Sequence, residues 1–247
     1  MTEDFHKSRK NWSTIKHQIL RRYVSLFLGK LGAKYSRVYY VDGFAGQGLY
    51  DDGSKGSAYL AAEIAASPAN KSRREFLRCI NVEEDAETFA NLEKSLSPFV
   101  QTGLVTNLHG TFHSRLPEIL RMVDGCPVFF FIDPFGTMGL ELDTLKKIGG
   151  LAGPKEVLAR YDDTRVKRLI KWGTQNPNLL DERVQKTVAA LDRRVSQLTD
   201  ADAVDEFQRD SSREKREDTR EALICGYERQ VREQAGFKFS IHYPIRN

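Results

Sequence analysis

Three groups of residues in this chain have the types and spacing of a site for a charged small molecule, and each follows a run of strand-forming residues. The first is Asp42-Gly43-Phe44-Ala45-Gly46-Gln47-Gly48, after Val38-Tyr39-Tyr40-Val41. Paired glycines let backbone approach a ligand closely, and a carboxylate at a strand tip can accept a hydrogen bond from an ammonium group. That favours S-adenosylmethionine, whose methionine end carries an ammonium, over a dinucleotide, whose pyrophosphate the acid would repel. Asp42 to Gly48 is therefore the candidate cofactor loop. The second group is Glu83-Glu84-Asp85 after Leu77–Val82. Glu83 stands where a Rossmann-like fold holds ribose hydroxyls. Glu84 and Asp85 suit the start of the next helix, whose positive end favours carboxylates. The third is Asp133-Pro134-Phe135-Gly136 after the apolar run Val128–Ile132. An acid there can accept from an exocyclic amine and align its lone pair on a methyl group, while Phe135 stacks on an extruded base. Asp133, Pro134, Phe135 and Gly136 are the candidate catalytic residues. Between the second and third groups, His109-Gly110-Thr111-Phe112 follows a strand at Leu104–Leu108, and Thr111 is the candidate contact to the adenine. His109 and His113 read as surface residues.

These groups need elements that bring them to one edge. Val128–Ile132 is apolar throughout, as in a parallel strand buried on both faces. Helices are expected at Ser57–Ala66, closed by Ser67-Pro68, at Ala86–Leu96, stopped by Pro98, and at Ser114–Val123. A fifth strand is expected at Glu156–Tyr161. The alternation of strands and helices predicts an α/β fold, a doubly wound and mostly parallel Rossmann-like sheet of order 3-2-1-4-5 with all strand tips on one edge. Ahead of it, Ile15, Ile19, Leu20, Tyr23, Val24, Phe27 and Leu31 repeat at three and four, predicting an amphipathic helix from the Ser13-Thr14 cap to near Gly32. The basic residues of this N-terminal segment, Lys7, Arg9, Lys10, Lys16, Arg21 and Arg22 among them, face either water or a nucleic acid.

After the fifth strand, Arg165, Lys167, Arg168 and Lys171 lie near the same edge, where they hold phosphates or are simply solvated. Val184, Val188, Leu191, Val195 and Leu198 keep a helical stripe, Arg209–Glu217 reads as a linker, and Leu223–Gln234 as a helix. Phe237–Ile245 is expected as a sixth strand, parallel to the fifth, with the fold's seventh strand missing. The whole of 1–247 is read as one domain, with a helical segment at 1–33 and a charged helical insertion at 162–235.

Composition sets bounds on function. Of 247 residues, 40% are hydrophobic and 29% charged, and the net charge is +4, which permits a polyanionic partner, RNA or DNA, without requiring one. No apolar run approaches the ~20 residues of a membrane span, and MTEDFHKSRK has no secretory apolar region, so a cytoplasmic protein with no membrane partner is expected. Cys79, Cys126 and Cys225 are far apart and lack a Cys-x-x-Cys or a His pair, so neither a disulfide framework nor a metal site is expected.

The chain resembles the three-Cys-motif partner proteins of bacteria and phage. The resemblance lies in Trp12 with Lys16-His17 and Ile19-Leu20 before Tyr23, in Tyr40-Val41 and the loop to Gly48, in Gly56-Ser57, in Phe131-Ile132-Asp133-Pro134-Phe135-Gly136, and in Glu156-Val157-Leu158. It is strong up to Leu158 and weak beyond. It implies a class I S-adenosylmethionine-dependent methyltransferase fold and a protein partner bearing the three-Cys motif. Asp133-Pro134-Phe135-Gly136-Thr137 also resembles the catalytic tetrapeptide of tRNA guanine-N2 methyltransferases. Ala159-Arg160 departs from the family's pattern in the fifth strand. Two functions follow as expectations: methyl transfer to an exocyclic amine of a nucleic-acid base, or a partner-binding protein that keeps the fold without transferring a methyl group.

Overall fold

The computed structural model describes residues 18–31, 34–68, 76–134, 138–175, 182–209 and 216–242. They divide into two compact units. One comprises the described residues up to Asp133 together with Leu151–Ala159; the other comprises Pro134–Gly150 and the described residues of Arg160–Ile245.

The first unit is built on a parallel five-stranded sheet: β1 (Val38–Asp42), β2 (Leu77–Glu83), β3 (Val105–His109), β4 (Val128–Ile132) and β5 (Lys155–Ala159), in the order β3-β2-β1-β4-β5. This is the expected Rossmann-like arrangement. The order reverses between β1 and β4, and at such a switch point a parallel sheet opens a crevice beyond its strand tips. β1 and β4 are central, and every residue of both is buried.

Period-two alternation sorts the strands into two faces. Tyr40, Cys79, Phe129 and Phe131 join one apolar cluster with Leu20, Val24 and Phe27 of α1 (18–31), Ala58, Ala61, Ala62 and Ala65 of α2 (Ser57–Ala66), and Leu92 and Leu96 of α3 (Ala86–Gln101). Alanines on α2 let that helix lie close to the strands. Phe129 is the hub, its ring 5.3 Å from Tyr23, 5.8 Å from Phe27 and 6.0 Å from Tyr40. The Tyr23 hydroxyl continues to Glu156 of β5 at 2.5 Å, fixing α1 across the edge strand. On the opposite face lies α4 (Phe112–Val123), with Phe112, Leu116, Ile119 and Val123 buried.

The start expected for α1 at Ser13-Thr14 lies outside the described residues. Pro98 does not stop α3, which runs on to Gln101. Phe99 and Val100 pack partly against the core, and that burial outweighs the hydrogen bond a proline cannot donate. The chain leaves the helix instead at Gly103, whose φ of 72° suits only glycine, with its N–H donating to the Val100 carbonyl.

The second unit contains α5 (Leu142–Gly149), α6 (Asp163–Gln175), α7 (Glu182–Ser196), α8 (Ala201–Arg209) and α9 (Arg216–Gln234). Its charge-rich sequence is held by side chains that reach backbone. Tyr227 donates to the Leu140 carbonyl at 2.6 Å, Tyr161 to Leu198 at 2.9 Å, and Thr199 to Leu223 at 3.0 Å. The rings of Tyr161 and Tyr227 lie 5.0 Å apart. The helix expected from Leu223 begins at Arg216, so it takes in part of the expected linker.

The sixth strand is not present among the described residues. Residues 235–242 form no strand, and Phe239 and Ile241 are 84% and 73% exposed, so the alternating pattern of Phe237, Phe239 and Ile241 finds no sheet face to cover. Gly149 meets the backbone of Ala235 so closely that a Cβ there would overlap the Ala235 carbonyl, which ties the end of α9 to the end of α5. Residues 243–245 lie outside the described set.

Candidate functional site

Asp42 closes β1 and is wholly buried. Three donors turn toward it: the Tyr40 hydroxyl at 3.1 Å, the Phe44 N–H at 3.2 Å, and the Ser57 hydroxyl from the first turn of α2. Burial nevertheless pushes the carboxyl up to about 6, against the pull of Ser57, Phe44 and Tyr40, with nearby Asp133 adding to the rise. A buried acid in that state gains from any cation brought beside it.

The loop beyond Asp42 is shaped by its neighbours. Gly46 and Gly48 have φ of 62° and 76°. A Cβ on Gly48 would come within 2.6 Å of the Ser95 hydroxyl on α3, and that hydroxyl donates to the Gln47 carbonyl at 2.9 Å. Glu83, at the end of β2, accepts from the Gly46 N–H at 2.9 Å through Oε2 and from the Asp85 N–H at 2.9 Å through Oε1. The Ala45 N–H donates to the Val82 carbonyl. Asp42, the glycine loop and Glu83 are thus joined directly, as two neighbouring strand tips in register require.

Asp133 follows β4 immediately, and its carboxylate bears on Asp42 and on Tyr50. Pro134 is buried, while Phe135 and Gly136 lie outside the described residues. Thr111 is the N-cap of α4, its hydroxyl accepting from the Ser114 N–H at 3.0 Å. The side chain expected at the adenine is thus also a helix cap. Asp85 caps α3, accepting from the Thr88 N–H at 2.8 Å, as its place before a helix suggested. His109 stacks on Phe89 with ring centres 4.9 Å apart and points Nε2 at the Glu84 carbonyl at 3.1 Å.

Several participants carry no motif. Tyr40 reads in sequence as a strand former, although its place two residues before Asp42 puts both side chains on one sheet face. Ser57 reads as a helix opener. Asn81 is fully buried in register with Asp42; its Nδ2 donates to Asn107 at 2.9 Å, whose own amide donates to Glu93 at 2.6 Å, and its Oδ1 has no partner among the described residues.

The pieces present fit S-adenosylmethionine. A wholly buried acid closes β1, the loop after it has no room for a side chain at Gly48, and a second acid stands on the neighbouring strand. Among the described residues no group of three His, Cys, Asp or Glu side chains is placed to hold a metal ion, and no helix is long and apolar enough to cross a membrane.

No family model matches the chain, and no curated protein does. Solved structures similar to it include a conserved hypothetical protein of Streptococcus pyogenes, at 18% identity over 56% of this chain and 74% of that one, with a TM-score of 0.35. Another is described as "Putative methyltransferase yhhF from Escherichia coli", at 14% identity over 58% and 68% of the two chains, with a TM-score of 0.34. At those scores neither likeness adds to what the strand order itself establishes.

Proposed function

We propose that the chain is an S-adenosylmethionine-dependent methyltransferase acting on an exocyclic amine of a nucleic-acid base. The observation that carries the reading is the placing of three acids at strand tips about the switch point of the parallel sheet, Asp42 and Glu83 each accepting from an amide of the glycine loop and Asp133 acting on Asp42. Bound there, S-adenosylmethionine supplies a methyl group activated by its sulfonium. Asp42 accepts from the ammonium at the methionine end and becomes fully ionised on doing so. Glu83 keeps lone pairs for the ribose hydroxyls. Asp133, at the tip of the neighbouring central strand, accepts from the target NH2 and holds its lone pair on the line of transfer. As the N–C bond forms the S–C bond would break to leave the thioether, and the methylated amine would then lose one proton to solvent, so little acid-base chemistry is asked of the protein. Asp133-Pro134-Phe135-Gly136 supports the amine as target, because its residue types suit an extruded base. The net charge of +4 and the basic residues of α6, of which Arg165 and Lys167 also pair with Asp162 and Asp163, support a nucleic acid as its carrier.

The test has two arms. Calorimetric titration with S-adenosylmethionine, S-adenosylhomocysteine and NAD should give binding of the first two only. Transfer of a labelled methyl group to total RNA or total DNA should then be seen with the wild type and lost in Asp133→Ala, whose affinity for S-adenosylhomocysteine stays close to wild type. Full transfer by Asp133→Ala would overturn the catalytic assignment. Cofactor binding with no transfer to either nucleic acid would favour a partner-binding protein.

A further inference from the structure

A short hairpin separates the glycine loop from α2 and carries a residue that none of the motifs picks out. Leu49 and Lys55 form an antiparallel bridge, the Tyr50 N–H donates to the Ser54 carbonyl at 2.9 Å, and the Gly53 N–H donates back to Tyr50 at 2.9 Å. Its base is fastened by the Gly56 N–H on the Gly48 carbonyl at 2.6 Å and by Lys55, paired with Glu63 at 2.6 Å and set 5.5 Å from the centre of the Tyr59 ring. A turn tied in this way holds Tyr50 in one place. The ring lies across the glycine loop: a Cβ on Gly56 would sit 3.4 Å from its Cε2, and one on Gly46 would sit 3.1 Å from its hydroxyl.

Tyr50 is 44% exposed, so it is not there to fill a core. Burial raises the phenol, and three acids, Asp42, Glu83 and Asp133, act on it electrostatically in the same direction, so it stays a neutral donor. A zwitterionic ligand entering this cluster brings an ammonium that the acids attract and a carboxylate that they repel. The carboxylate therefore needs a donor. The hydroxyls of Tyr40 and Ser57 are already given to Asp42. The Tyr50 hydroxyl stands beside Gly46 with its proton uncommitted among the described residues.

We propose that Tyr50 is a ligand-contacting residue, its hydroxyl donating to the α-carboxylate of a ligand whose ammonium Asp42 accepts, so that the hairpin recognises the amino-acid end of the cofactor. The inference rests on the methyl-donor reading given above. Two probes separate it from that reading: S-adenosylhomocysteine, and its decarboxylated analogue, which keeps the nucleoside, thioether and ammonium. Each is titrated into wild type and Tyr50→Phe by calorimetry, with thermal midpoints confirming that both fold. Tyr50→Phe should bind S-adenosylhomocysteine about tenfold or more weakly, the scale for losing a hydrogen bond to a charged group. Its affinity for the decarboxylated probe should equal that of wild type. Unchanged affinity for S-adenosylhomocysteine would overturn the proposal, and so would equal weakening of both probes, which would make Tyr50 a wall for the nucleoside. If wild type bound neither probe, the methyl-donor reading would fall and the role of Tyr50 with it. That outcome shows in the wild-type arm alone.

Discussion

Replacing Asp42 by Asn should change how stability depends on pH. The carboxyl is raised from 3.8 to about 6 by burial. Below pH 3.8 it is protonated in the folded and unfolded chains alike and contributes no slope. Between 3.8 and about 6 the unfolded chain gives up the proton while the folded chain keeps it, so stability falls as pH rises. Above 6 the loss is complete. A shift of about 2 units corresponds to about 3 kcal/mol lost across that window. An asparagine cannot ionise, so this component vanishes in Asp42→Asn. Urea unfolding of both proteins without ligand, at intervals from pH 4 to 7.5, should show the difference in stability moving by about 2 kcal/mol in favour of Asp42→Asn, the rest of the loss lying below pH 4. The absolute offset also contains the amide's poorer fit to three donors, so the change with pH is the quantity to read. A difference constant to within about 0.5 kcal/mol across the range would refute the claim that folding buries this acid. The same linkage applies to the ligand: wild type should bind S-adenosylhomocysteine about tenfold more weakly at pH 5 than at pH 7.5, and Asp42→Asn should show no such dependence.

Three further outcomes are expected. Gly48→Ala places a side chain at a φ of 76° and within 2.6 Å of the Ser95 hydroxyl, and should cost about 2 kcal/mol of stability in urea unfolding; Ser95→Ala in the same chain should return only the part due to the clash, leaving the backbone strain in place. Gly149→Ala should force the ends of α5 and α9 apart, which hydrogen exchange will detect as faster exchange in 223–234 than in β1 or β4. Converting Arg165, Arg168 and Lys171 to Ala should reduce the salt slope of nucleic-acid binding by about 0.7–0.9 for each phosphate no longer engaged; an unchanged slope would return them to the solvated surface.

The sheet was legible because its strands carry strong local signals. Val128–Ile132 contains nothing but apolar residues, and Asp42 and Glu83 fall where strand-forming runs end. Other features depended on partners distant in sequence. Pro98 reads as a stop, yet α3 continues because Phe99 and Val100 find a core that sequence alone does not display. Phe237–Ile241 has the alternation of a strand, but alternation states only which residues share a face, not that a sheet edge accepts them. The acids were found by their position at strand tips. Tyr40, Ser57 and Ser95 were not, because a hydroxyl that orients a carboxylate or a loop carbonyl has no spacing of its own to announce it.

The double use of Glu83 bears on how quickly a ligand can arrive. An ionised carboxylate offers about four lone-pair positions, and the N–H groups of Gly46 and Asp85 take one on each oxygen. A diol can therefore dock on the remaining two without displacing either amide. The glycine loop is held in shape before anything binds, so association need not wait on a rearrangement there. Its rate should follow ligand concentration linearly in stopped-flow mixing, with no plateau from a slow opening step.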